Sequence, residues 1–169
     1  MKNFIVTIAF ALMTTMTFAQ SKSIASFYKA YSSDHATVSL NLSGNFLKFL
    51  ADDEDDNEAL KSITSIRILT IEHPHVPKAK FTNLINDVRK EGYEEWMTVK
   101  EGAKSEVVFF AKEDGKMITD LVMLVRGDED YVILELTGLI DPDALENNSL
   151  NIDVEGFEHL KKAKDRKEK

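Results

Sequence analysis

Residues 93–139, YEEWMTVKEGAKSEVVFFAKEDGKMITDLVMLVRGDEDYVILELTGL, decide the fold. From Tyr93 onward apolar and polar side chains alternate, which is the period of a β-strand. Short breaks that contain glycine interrupt the alternation, and Asp114-Gly115 between two such runs is the strongest of the hairpin signals. The segment therefore predicts an antiparallel meander of four strands. These strands are Tyr93–Lys100, Glu106–Lys112, Lys116–Arg126 and Asp130–Leu139.

The sequence before the meander predicts two more strands and three short helices. Apolar residues at helical spacing mark the helices, and alternation or β-branched residues mark the strands. The helical stripes are Ile24 to Tyr31 with Ser21 or Ser23 as the N-cap, Phe46 to Leu50, and Phe81 to Val88 after Pro77 and before Gly92; the strands are Ala36–Leu42 and Ser65–Glu72. A further helical turn is expected at Ala59, Leu60 and Ile63, and the strand Ala36–Leu42 is expected to be half-buried.

This order of elements predicts an α+β fold. Residues 20–169 are expected to form a single domain, a mainly antiparallel sheet of five to six strands packed by helices. The strands at Ser65 and at Lys116 look apolar on both faces. In the second of them Ile118, Val122 and Leu124 are expected on one face, and the other face is expected to carry Met117, Leu121, Met123 and Val125. Two explanations stay open: helices cover both faces, or an open face meets a partner. A short helix that frays into solvent is expected at residues 153–169.

The first nineteen residues predict a secretory signal peptide. Lys2 supplies the positive charge, Phe4 to Met13 the apolar centre, and Thr17-Phe18-Ala19 the cleavage site, so the mature chain is expected to begin at Gln20. The apolar stretch is shorter than the roughly 20 residues of a spanning helix, so no integral membrane segment is expected after cleavage. Because the chain has no cysteine, we expect neither a lipid-modified cysteine nor a disulfide. The predicted location is periplasmic or secreted, as a soluble protein that is not a lipoprotein.

The charge of the chain argues against nucleic acid as a partner. The formal net charge is −8, and loss of Lys2 with the signal peptide brings it to −9. Such a protein repels phosphate backbones and anionic lipid headgroups. The partners we expect are another envelope protein or a second copy of this chain.

Glu72, His73 and His75 form the best candidate metal site in the sequence. Residues two apart on an extended chain point the same way, so both imidazoles could reach one ion. Two imidazoles alone bind weakly, and the third ligand would come from Glu72, from His35 or from the acidic loop. The alternative is a polar strand end beside two prolines.

The acidic run Asp52–Glu58 suggests a loose cation loop. Asp52, Glu54 and Asp56 match the first three ligand positions of a calcium loop. Asn57 stands where that template needs glycine, and Ile63 where it needs glutamate, so the template fails. An exposed, solvated loop is the simpler interpretation.

No catalytic or cofactor motif accompanies these residues. The sequence has neither a Gly-x-Ser-x-Gly elbow nor a glycine-rich phosphate loop, so no cofactor is expected. We therefore expect a non-catalytic domain that binds a protein or a ligand. The alternatives are a metal-dependent hydrolase with dispersed site residues and a carrier of a hydrophobic ligand, which would need a closed apolar cavity.

Several segments together resemble an exported Bacteroidota family filed as domain of unknown function 4252. They are Thr37-Val-Ser-Leu-Asn-Leu-Ser43, Ser62-Ile-Thr-Ser-Ile-Arg-Ile-Leu-Thr70, Gly92-Tyr93-Glu-Glu-Trp-Met97 with the following Val99-Lys100, and Lys116 to Gly138 with Leu121-Val-Met-Leu-Val125 at its centre. The resemblance implies an exported domain without an established activity or catalytic residues. Many relatives look like lipoproteins with a cysteine after the signal, which this chain lacks.

Overall fold

Six strands form one antiparallel sheet in the computed structural model, which describes residues 20–51, 61–72, 75–102 and 104–142. The predicted signal peptide 1–19 and the predicted tail helix 153–169 lie outside these described residues. The helices are α1 (Lys22–Tyr31), α2 (Gly44–Ala51) and α3 (Lys78–Lys90); the strands are β1 (Thr37–Ser43), β2 (Ile63–Glu72), β3 (Glu94–Glu101), β4 (Ser105–Asp114), β5 (Met117–Arg126) and β6 (Asp130–Ile140).

The order of strands confirms the predicted α+β fold and its meander. Across the sheet the order is β1-β2-β6-β5-β4-β3, so the last four strands are neighbours in chain order. Strand β2 pairs with β6 on the far side of the meander, and β1 pairs with β2. Strands β1 and β3 are therefore the two edges of the sheet.

The start of β2 differs from its prediction. Lys61 and Ser62 are helical, but Ile63 is the first residue of the strand and pairs with Gly138 of β6, so it does not belong to the predicted helical turn. Its side chain is fully buried, and this burial outweighs the local helical spacing. Of the other residues of that predicted turn, Ala59 and Leu60 lie outside the described residues.

Helices α1 and α3 cover one face of the sheet. They contact each other and bury an aromatic cluster against β6. The Phe81 ring stacks on the Tyr131 ring at 4.5 Å between centroids, and the Phe27 ring meets Phe81 edge-on at 6.1 Å. Offset stacked and edge-to-face rings add to the burial of apolar area.

The opposite face of the sheet is buried as well, so both faces of β5 are covered. Leu47 of α2 packs into this second apolar cluster, which includes Met123 of β5 and Leu134 of β6. A bulge between Ile118 and Asp120 turns Ile118 into the same cluster. The predicted placement of Ile118 on the face of Val122 is therefore wrong, because one irregular step in the strand reverses the alternation.

The predicted helix ends are confirmed at two positions. Ser21 caps α1 by accepting a hydrogen bond from the Ile24 amide at 3.0 Å. Gly92 follows α3 with a φ of +83°, the left-handed conformation that favours glycine after a helix. No helix in the described part of the chain is long and apolar enough to cross a membrane.

Candidate functional site

The structure places His75 beside two residues of another loop. Asp34 and His35 lie in the connection between α1 and β1, and His75 lies between β2 and α3. The nearest ligand atoms of the three side chains all lie within 4.8 Å of one another. His35 is one of the third ligands that the sequence offered for His75.

The other residues predicted for this metal site do not join the group. Glu72 ends β2 opposite Asp130 and is exposed, and it is not among the clustered ligands. His73 lies outside the described residues, as do Asp52, Glu54 and Asp56 of the predicted cation loop. Asp34 was missed because an aspartate in a short loop is common and carries no signal of its own.

A second polar group lies inside the domain, between the sheet and the helices. Arg67 of β2 donates from Nε to Glu135 of β6 at 2.6 Å, and its guanidinium lies 4.8 Å from the centre of the Tyr28 ring. The Tyr93 hydroxyl donates to Asp120 of β5. We call these five residues the buried charge cluster.

Burial shifts the titration of the buried charge cluster. Asp120 is 3% exposed, and burial together with the nearby charge of Glu135 raises its pKa to about 7. Burial also raises the pKa of Glu135, although Arg67 opposes the shift. The pKa of Tyr28 and that of Tyr93 are raised by burial too.

The buried charge cluster supports the fold better than it supports catalysis. A carboxyl group with a pKa near 7 suits general acid–base chemistry, but it must reach the proton of a substrate. Asp120 is 3% exposed and Glu135 1% exposed, so neither presents a carboxylate to solvent. The sequence signal for this cluster was one charged residue in the interior of each of two apolar strands, Asp120 in β5 and Glu135 in β6.

The most accessible apolar groups of the described residues include those of edge strand β1. Val38 is 70% exposed and Leu40 is 43% exposed. The expectation that this strand is half-buried is therefore wrong for these residues. Alternation predicts which side chains share a face, but it does not distinguish an edge strand from an interior one.

The two edges of the sheet are built differently. Strand β1 contains neither a charged residue nor a proline, and its pairing with β2 runs without a register shift. Strand β3 contains four charged residues in Glu94-Glu-Trp-Met-Thr-Val-Lys-Glu101 and has a bulge between Glu95 and Met97. Charges and bulges are the usual protection of a sheet edge against another chain. By this criterion β3 is protected and β1 is not.

A shallow groove of about 380 Å³ runs between α1 and α3. Phe27 and Leu84 contribute apolar surface, and Lys22, Lys80 and Asp87 contribute charge. The groove is open to solvent and mixed in polarity. It therefore differs from the closed apolar cavity that a carrier of hydrophobic ligands requires.

The fold and its exposed edge define a class: an α+β domain with one six-stranded antiparallel sheet and one unprotected edge strand. Residues 28–147 match the family described as domain of unknown function (DUF4252). The match spans more than half of the chain, so the protein belongs to that family. Comparison with curated proteins and with solved structures finds no match.

Proposed function

We propose that this protein is an exported, non-catalytic domain that binds another protein by strand addition at β1. The observation that carries this proposal is the difference between the two edges of the sheet. Strand β3 has the charges and the bulge that discourage pairing, whereas β1 offers an uncharged, regular edge of seven residues, Thr37–Ser43.

Strand addition uses the features that β1 presents. An edge strand has backbone N–H and C=O groups that face away from the sheet, and a partner strand that pairs with them supplies affinity through the main chain. Side chains on one face of the strand supply specificity. Val38 and Leu40 are the exposed apolar contacts on that face, beside Leu42, which packs against the second apolar cluster.

A second copy of the chain is the partner that β1 itself fits. Antiparallel pairing about Leu40 places Val38 opposite Leu42 of the other copy, and Ser39 opposite Asn41. Apolar residues then meet apolar residues, and polar residues meet polar ones. Such a two-fold, self-complementary contact is the commonest arrangement in oligomers.

The local charge of β1 does not oppose pairing at this edge, and the long-range repulsion between two acidic copies is screened by salt. Although the whole chain carries −8, no charged side chain lies in β1 itself.

The exported location rests on residues 1–19, whose charge, apolar centre and Thr17-Phe18-Ala19 end follow the pattern of a signal peptide.

A labelled peptide with the sequence of residues 36–44 tests the proposal directly. We expect it to bind the purified protein, with a rise in fluorescence anisotropy that saturates and that unlabelled peptide reverses. The matched control is a peptide in which lysine replaces the residues equivalent to Val38 and Leu40, and we expect it not to bind. A protein that ignores the native peptide, or that binds both peptides equally, would contradict strand addition at β1.

A further inference from the structure

Two loops meet beside the start of β1 and bring together two imidazoles and a carboxylate. Asp34 Oδ1 lies 3.1 Å from His35 Nδ1 and 3.9 Å from His75 Nδ1. The two imidazole rings are nearly perpendicular, with centroids 4.9 Å apart. Hydrogen bonds that involve the backbone hold one member of the group in each loop. Asp34 Oδ1 accepts a hydrogen bond from the Ala36 amide at 3.1 Å, and the His75 amide donates to the Glu72 carbonyl at 3.2 Å.

These distances are close to those around a small divalent ion. Zinc lies about 2.0–2.2 Å from histidine nitrogen and carboxylate oxygen, so neighbouring ligand atoms of a tetrahedral ion lie about 3.3–3.6 Å apart. Asp34 Oδ1 lies 3.1 Å from His35 Nδ1 and 3.9 Å from His75 Nδ1, so side-chain movements of about half an ångström bring both pairs to that spacing. The side chain of His35 is 85% exposed, so it can turn to complete the site without displacing packed residues.

We propose that Asp34, His35 and His75 bind a divalent first-row transition-metal ion, with Zn²⁺ as the reference ion. Imidazole and carboxylate together suit zinc, nickel, copper or iron, whereas calcium and magnesium take oxygen ligands. Three protein ligands leave at least one position for water. The site differs from the pair of histidines that the sequence indicated, because two of its three members, Asp34 and His35, come from a different loop.

The bound ion would connect the α1–β1 loop to the β2–α3 loop. Asp34 and His35 precede β1 directly, so the connection would fix the entrance of the edge strand. Since an ion that binds the folded form alone stabilises it by mass action, loading should raise the melting temperature of the protein. This inference does not rest on strand addition at β1, and each can fail without the other.

Isothermal titration of the purified protein with Zn²⁺ alone tests the site. We expect one bound ion per chain and a higher melting temperature in its presence. His75→Ala, His35→Ala and Asp34→Asn should each weaken binding by at least tenfold, the scale by which even the supporting partners of metal ligands change affinity. All three side chains are at least partly exposed, so the metal-free variants should melt like the wild type.

His159→Ala is the matched control, because it removes an imidazole that the proposal does not use. We expect this variant to bind Zn²⁺ like the wild type. Failure of the wild type to bind one equivalent would overturn the proposal. Wild-type affinity in His35→Ala, or an equal loss in His159→Ala, would overturn it as well. Binding that requires His73 and not His35 would support the sequence-based pair instead.

Discussion

Arg67 of β2 and Glu135 of β6 lie side by side as direct partners on neighbouring strands, and their side chains form an ion pair. The carboxylate side chain of Glu135 has no exposed surface, while that of Arg67 is 17% exposed. Because removal of two charges from water is costly, such a pair adds little net stability, but loss of one member leaves the other buried and uncompensated. Replacement of one member of the ion pair should therefore lower the free energy of unfolding more than replacement of both members by apolar residues.

Removal of Arg67 alone should destabilise the protein strongly. We expect Arg67→Met to lower the free energy of unfolding by about 3–5 kcal/mol, because Glu135 is left buried and unpaired. The double variant Arg67→Met/Glu135→Leu should lose less than Arg67→Met, since no isolated charge remains. Urea denaturation of the three proteins measures both values.

The exposed ion pair between Lys90 and Asp87 is the control for that comparison. Its atoms lie 2.9 Å apart, but the Lys90 side chain is 75% exposed, and such pairs contribute about 0–1 kcal/mol. Lys90→Met should therefore have little effect. A double variant at positions 67 and 135 that is less stable than Arg67→Met would contradict this account of the cluster.

Asp120→Asn should change how stability depends on pH. The folded pKa of Asp120 is about 7, above the roughly 3.9 of an unfolded aspartate. The folded state therefore binds the proton of Asp120 more tightly than the unfolded state does. Protonation of Asp120 stabilises the fold fully below pH 4, and this stabilisation is lost as the pH rises to 7. Asparagine stays neutral and can still accept the hydrogen bond from Tyr93.

We therefore expect Asp120→Asn to be more stable than the wild type at pH 8, with a gap that narrows toward pH 4. The difference in the free energy of unfolding between the two proteins should change by at most about 1.4 kcal/mol per pH unit. Glu91, Glu95 and Glu106, whose pKa values are lowered, affect both proteins alike, so the difference reports the titration of Asp120 together with that of Glu135, whose charge acts on it. Asp114→Asn in the exposed turn should show no such gap. A gap that is constant from pH 4 to pH 8 would refute the role of Asp120.

Gly138→Ala should destabilise the pairing of β2 with β6. A Cβ atom at Gly138 would lie 2.3 Å from the Ser62 carbonyl oxygen and 2.9 Å from the Ile63 Cα. Because the contacting atoms belong to the backbone, they can move only with the strand itself. Overpacking of this kind lowers the free energy of unfolding by about 1–3 kcal/mol. Leu139→Ala, at a neighbouring side chain that is 49% exposed, should cost clearly less. Thermal unfolding compares the two, and equal losses would show that the close approach at Gly138 is unimportant.

The sequence predicted the meander because its signals are local. Alternation from Tyr93 and the turn at Asp114-Gly115 depend on neighbouring residues, and Gly115 does adopt a φ of +65°. The exposure of Val38 was not predictable in this way, because an edge strand is defined by the absence of a neighbour on one side. The bulge at Ile118 was missed for the related reason that periodicity assumes a regular strand.

The candidate sites depended on contacts between distant segments. His75 was selected for its spacing from His73, but the structure brings it to Asp34 and His35 through the meeting of two loops. Asp120 and Glu135 each interrupt an apolar run, and that interruption was the available signal for the buried charge cluster. The contacts between Arg67, Glu135 and Asp120 depend on the strand order β2-β6-β5, which local sequence patterns do not reveal.

The most direct test of strand addition at β1 is sedimentation equilibrium of the wild type against Val38→Lys/Leu40→Lys. Both side chains are exposed in the single chain, so the variant should fold, and a melting temperature near that of the wild type verifies this. Trp96→Lys on the protected edge, where the side chain is 44% exposed, is the matched control. We predict that the wild type and the control form dimers as concentration rises, whereas the double variant stays monomeric. A wild type that is monomeric at every concentration, or a double variant that dimerises equally well, would contradict pairing through β1.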